Sequence, residues 1–254
     1  TGKEKEFQMP KHCPVCESPV EQIKGQVAFK CANKDCPAIK REGIYHFVSR
    51  KALDIDGVGP KIIDQLMAAA LIKDAADLFT LKTGDLLNLE RFAEKSAQNT
   101  VAAIQAKKEV PLHKFIYSLG IPHVGEETAY ALANKFYKLG NLGKASEEEL
   151  AVIPDIGPVI ARSIYEWFGK SYNKKLISKF RKAGVSVIPE KASKYSKKLA
   201  GKTFVLTGSI ESMTRDEAKE KIREYGGDVS STVSKNVDYV IAGSEPGEKY
   251  EKAK

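Results

Sequence analysis

The chain has 254 residues, enough for two or three domains that each bury a core. Its 41 Lys/Arg against 33 Asp/Glu leave a formal charge of +8, which suits a polyanionic partner without proving one. No stretch approaches the roughly 20 apolar residues of a membrane span. Residues 1–10 carry no apolar leader either, so a cytoplasmic location and no membrane partner are expected.

The charge is unevenly spread. Residues 1–50 carry 9 basic against 6 acidic side chains, residues 191–254 carry 13 against 10, and residues 51–190 carry 19 against 17. A nucleic-acid site in that middle stretch has to use placed donors, not dense positive charge.

Residues 10–48 hold all four cysteines: Cys13-Pro-Val-Cys16 and, fourteen residues later, Cys31-Ala-Asn-Lys-Asp-Cys36. Two close pairs around a hairpin-sized insert can wrap four thiolates tetrahedrally about Zn²⁺, with Gln26–Phe29 expected as a strand after a turn at Gly25. Four thiolates leave no open coordination position, so the metal is expected to be structural. The alternative is two disulfides; the lack of an export signal and of other cysteines favours zinc. His12 and His46 flank the set and are expected to be bystanders.

Residues 49–188 carry a repeat. Ile55-Asp-Gly-Val-Gly-Pro60, Leu89-Glu-Arg-Phe-Ala-Glu94, Ile121-Pro-His-Val-Gly-Glu126 and Ile153-Pro-Asp-Ile-Gly-Pro158 align on Gly59, Ala93, Gly125 and Gly157, at steps of 34, 32 and 32 residues. Each copy predicts a tight turn followed by a helix. Pro60 opens the first helix, whose Ile62, Ile63, Leu66, Met67 and Ala70 share a face; Pro158, Ile160, Ala161 and Ile164 repeat the pattern. The expected structure is an all-α domain of four helical hairpins.

A helix start offers unpaired N–H groups and a positive dipole end, and a glycine there lets a phosphate come close. Such a grip ignores base sequence. The competing reading makes the glycines mere connectors; three glycine-bearing copies favour backbone binding. Candidate contacts are Gly57, Val58, Gly59, Lys61, Gly125 and Gly157, with Arg91 and Lys95 serving the second copy, where Ala93 replaces glycine. Glu126, at the start of the third helix, would repel a phosphate placed too near.

These turns resemble the helix-hairpin-helix motif of DNA repair proteins. The wider string of Cys13–Cys16, Cys31–Pro37, His46-Phe-Val-Ser-Arg50, Asp54–Gly59 and Ser118-Leu-Gly-Ile-Pro-His-Val-Gly125 is similar to bacterial NAD-dependent DNA ligases over essentially the whole chain. That resemblance implies a zinc finger preceding four hairpins, nicked duplex DNA as partner, and a role in replication and repair. Residues 1–9 then correspond to the tail of a preceding OB-like domain.

Pro189–Lys198 reads as a polar, basic linker. Beyond it, Thr203–Thr207 predicts a strand, Thr214–Tyr225 a helix capped by Thr214 and ended at Gly226-Gly227, and Val237–Ile241 another strand. Strand, helix, strand implies an α/β unit with a parallel sheet over 199–254. Leu206-Thr-Gly208, Tyr225-Gly-Gly227 and Val237–Ile241 resemble a BRCT domain, incomplete here, whose phosphate-contacting turn corresponds to Thr207 and Gly208. Gly201-Lys-Thr203 is no P-loop, since Ser196 stands where the first glycine belongs.

The ligase resemblance implies a lysine nucleophile in K-x-D-G that attacks NAD. The nearest match, Asp54-Ile-Asp-Gly57, has aspartate at the lysine's position. This chain is therefore expected to bind DNA as a monomer, beside the catalytic half of the same ligase, without consuming NAD itself. The alternative function is a non-catalytic adaptor for DNA and phosphoproteins.

Overall fold

The computed structural model describes residues 9–22, 27–33, 35–189 and 198–253. The expectations for the tail 1–8, for Gly25 and Gln26, and for most of the linker fall outside the described residues. Among the described residues no helix is long and apolar enough to cross a membrane.

Strand β1 (Val20–Gln22) pairs antiparallel with β2 (Phe29–Cys31), in register Val20↔Cys31. The strand expected at Gln26–Phe29 therefore lies later, and its ladder ends on the cysteine that must reach back to Cys16. Helix α1 (Pro37–Val48) starts at once, with Cys36 at its N-cap and Pro37 where a missing N–H costs nothing. Its Ile44, Phe47 and Val48 bury into the hairpin core, so α1 couples finger to hairpins.

Next come α2 (Pro60–Ala68), a 3₁₀ turn (Ala75–Thr80), α3 (Thr83–Leu86) and α4 (Glu94–Gln105). Ile63 and Leu66 of α2 are fully buried, whereas Ala70 lies beyond the helix end at φ +56° and is exposed, off the expected apolar face. Strand β3 (Glu109–Pro111), α5 (Leu112–Ser118), α6 (Glu126–Phe136), α7 (Leu139–Leu142), α8 (Glu147–Ala151), α9 (Pro158–Gly169), α10 (Ser171–Lys182) and β4 (Ser186–Ile188) complete the helical part.

Two apolar cores result, one under the first pair of hairpins and one under the second. Helix α10 returns across the first: Phe180 stacks on Phe47 at 5.1 Å between ring centroids and meets Phe115 edge-on at 5.3 Å. Strand β4 then pairs parallel with β3, fixing the end of the hairpin region to its middle.

The last unit has a three-stranded parallel sheet in the order β6–β5–β7, from β5 (Thr203–Thr207), β6 (Asp228–Val229) and β7 (Tyr239–Ala242). Helix α11 (Arg215–Glu224) packs Ala218 and Ile222 onto it, and α12 (Glu248–Glu251) follows β7. Thr214 caps α11 by accepting the Glu217 N–H at 3.2 Å, while Glu217 accepts the Thr214 N–H at 2.7 Å. Helix α11 also reaches the hairpins: Lys219 lies 3.0 Å from Glu127 of α6, and Arg223 pairs with the same carboxylate.

Candidate nucleic-acid interface and metal centre

The four cysteine Sγ atoms lie within 4.8 Å of one another. Cys13 and Cys36 are 3.8 Å apart, Cys16 and Cys31 3.4 Å, and none forms a disulfide. Bonds of about 2.3 Å to one tetrahedral ion set sulfurs roughly 3.8 Å apart, so this donor set fits Zn²⁺. Hydrogen bonds from Ser18, side chain then backbone, bring the Cys16 thiol down to about 6, while burial pushes Cys31 up to about 12. A metal would unify them as thiolates. His12 pairs with Pro19 across a β-bridge, and His46 Nε2 is 2.8 Å from the Tyr117 carbonyl, so neither belongs to the cluster.

All four repeat copies, the degenerate second included, form one turn. Val58, Phe92, Val124 and Ile156 donate their N–H groups to the carbonyls of Ile55, Leu89, Ile121 and Ile153, at 3.2, 3.2, 3.0 and 3.0 Å. The third residue of each turn is left-handed: Gly57 at φ +71°, Arg91 at +66°, His123 at +67° and Asp155 at +63°. That is the signature of a type II turn, and Pro122 and Pro154 occupy its proline-favouring second position.

Helices α2, α4, α6 and α9 then start after Gly59, Ala93, Gly125 and Gly157. The three glycines have ordinary extended backbones (φ −102°, −85° and −76°), and a Cβ added at any of them would meet nothing within 4 Å. Neither backbone strain nor internal packing requires glycine there. Gly125 and Gly157 are exposed, Gly59 is half-buried, and none of the three helices has a side-chain cap. An uncapped start alone is not distinctive, since α1, α5 and α10 share it, and Gly247 opens the four-residue α12 with an equally unneeded glycine; what sets Gly59, Gly125 and Gly157 apart is their recurrence at the same position of the repeat.

The second copy differs in chemistry. Ser96 Oγ accepts the Ala93 N–H at 2.9 Å, so one donor open elsewhere is taken here. Arg91 and Lys95 are exposed beside it, with Arg91 only loosely paired to Glu90 at 3.9 Å. Lys61 is exposed on the first turn of α2. Val58 is 4% exposed and part of the core, so it can offer a ligand no side chain.

In the last unit, Thr207 is buried and its Oγ1 accepts the Gly247 N–H at 3.3 Å. Gly208 sits at φ +74°, and a Cβ there would come within 2.6 Å of the Ser244 carbonyl. This glycine has an internal reason, a close backbone crossing, unlike those of the hairpins.

Four family models match. The NAD-dependent DNA ligase C4 zinc finger domain matches residues 12–38, a SAM-like helix-hairpin-helix tandem 49–106, a helix-hairpin-helix motif 114–177, and the BRCA1 C-terminus (BRCT) domain 194–254. Over its whole length the chain is 48% identical to a DNA ligase of Halothermothrix orenii, 48% to one of Pelotomaculum thermopropionicum and 46% to one of Anoxybacillus flavithermus. Over its whole length the chain resembles the C-terminal part of an NAD-dependent DNA ligase. It spans 37–38% of the length of those ligases and corresponds to their C-terminal part. The finger, the hairpins and the BRCT-like unit stand in the order expected from the sequence.

Proposed function

We propose that this chain grips the sugar-phosphate backbone of duplex DNA, nicked duplex above all, through the helix starts at Gly59, Gly125 and Gly157. The observation that carries this reading is the trio of glycines that the protein's own backbone and packing do not need. Removing Cβ at a helix N-terminus admits a phosphate to the free N–H groups, and a target defined by a backbone break calls for contacts blind to base sequence. Lys61, Arg91 and Lys95 supply exposed cations beside the turns, while Gly57 shapes the first of them. The zinc site serves as a brace. Thr207 and Gly208 hold the BRCT-like turn, with little left to offer DNA.

The same reading makes the chain a monomeric partner of its ligase's catalytic half, working at the nucleoid in the cytoplasm. Alone it seals no nicks and uses no NAD, because Asp54 stands where a K-x-D-G nucleophile needs lysine and no other match exists in the sequence. Titrating nicked and intact duplexes of one sequence at several salt concentrations tests the binding. Micromolar or tighter, salt-sensitive, sequence-blind binding with preference for the nick is expected; no binding at low salt would reduce the hairpins to packing units.

A further inference from the structure

Helix α6 differs from α2 and α9 in what stands beside its exposed start. Its first two residues are Glu126 and Glu127, so a phosphate approaching Gly125 faces two carboxylates. Repulsion at that range offsets much of what the helix terminus offers.

Those carboxylates are not left bare. Lys51 lies 3.9 Å from Glu126, a long contact with an exposed cation. The closer cations come from α11 in the BRCT-like unit. Lys219 Nζ lies 3.0 Å from Glu127 Oε1 and 3.6 Å from Glu126 Oε2. Arg223 pairs with Glu127 and sets its guanidinium 4.2 Å from the Tyr130 ring centroid. The Lys219, Arg223 and Glu127 side chains are only 22%, 14% and 17% exposed, so solvent screens the cluster weakly.

Helix α11 approaches from the flank. Gly125 stays exposed, with nothing within 4 Å of where a Cβ would stand. Without α11, Glu126, Glu127 and Lys51 sum to −1; α11 sets Lys219 and Arg223 directly on the two carboxylates. Acidic groups near these cations in the same unit are Asp216, 3.9 Å from Lys219, and Asp228 of β6, whose carboxyl burial raises against the pull of Arg223.

We propose that α11 is the electrostatic complement of the third hairpin: by docking Lys219 and Arg223 onto Glu126 and Glu127, it lets the Gly125 terminus take a phosphate. The BRCT-like unit thereby strengthens DNA binding through charges that are themselves turned toward protein. Lys219 and Arg223 are positioning residues, and the proposal rests on the hairpin reading of DNA binding.

The test uses the full chain with a fluorescent nicked duplex, in wild type, Lys219→Gln/Arg223→Gln, Glu126→Gln/Glu127→Gln and the quadruple variant, with circular dichroism to confirm each fold. The variant lacking the cations should bind about tenfold more weakly. The variant lacking the carboxylates should bind at least as tightly as wild type, and the quadruple variant should return to within about twofold of it. If the quadruple variant stays as weak as the one lacking the cations, Lys219 and Arg223 contact phosphate directly and the proposal is overturned. It is equally overturned if losing the cations changes nothing, or if losing the carboxylates weakens binding. Failure of the wild type to bind DNA at all would instead remove the hairpin reading itself, and this proposal with it.

Discussion

Gly57 lies at φ +71°, where a side chain costs about 1 kcal/mol, and it shapes the turn that precedes α2. Gly59, two residues on, has φ −102° and open space where a Cβ would stand, so a side chain there costs the protein little. A serine at this position caps a helix at least as well as glycine. Gly57→Ala should therefore lower the melting temperature by about 3 °C, whereas Gly59→Ser should leave it unchanged or slightly raised. Thermal denaturation of both variants checks this, and equal losses would mean that both glycines serve the fold. Arg91, His123 and Asp155 hold the left-handed position in the other copies without glycine, which local sequence did not reveal. What the sequence did display was the spacing, because turn, N-cap and first apolar face fall within a dozen consecutive residues.

At the scale of elements, the return of α10 across the first core depends on Phe180 and on Lys179, which bridges Asp74 and Asp77 at 2.7 Å each. Burial alone would raise the Asp77 carboxyl, but the Lys179 ammonium and the Lys73 and Asp74 N–H groups outweigh it and hold it below its ordinary value. Burial opposes the Lys179 charge too, and hydrogen bonds to Asp74 and Asp77 prevail, raising it. A depressed carboxyl stabilises above its unfolded pKa and loses that contribution as pH falls through the folded one; a raised ammonium stabilises below its unfolded pKa and loses it as pH rises through the folded one. The bridge should thus contribute fully between about pH 5 and pH 10. Because Lys179 is 38% exposed, that contribution is about 1 kcal/mol or less. Asp77→Asn should lower the melting temperature at pH 7 and make no difference at pH 2; an equal deficit at both values would assign Asp77 to capping alone. Sequence marked the helix starts at 60, 94, 126 and 158, but not α10's return or the β3–β4 pair. Those three-residue strands lie 77 positions apart and carry no alternating pattern to announce them.

Across the whole molecule, the parts differ in what holds them. Among its described residues the finger buries only Cys13 and Cys36 before α1, so the metal takes the place of an apolar core. The hairpin region has two cores of its own. Chelation should release one zinc per chain and unfold the finger, while most of the helical circular dichroism and the hairpins' thermal transition persist. A coincident loss of both would show that α1 transmits the finger's collapse into the core through Phe47. The cysteine spacing made the metal site legible because its four ligands sit in two local pairs. The docking of α11 on α6 was not, since it joins side chains 92 to 96 positions apart on two separate units.

Binding of a fluorescent nicked duplex by wild type and by the Gly59→Ser/Gly125→Ser/Gly157→Ser variant, measured across a salt series, tests the hairpin assignment most directly. Each new side chain blocks a helix start and removes no cation. The affinity should fall about a hundredfold, with the salt slope and melting temperature unchanged. Undiminished affinity in the folded variant would contradict the assignment and place the DNA-binding surface elsewhere on the chain.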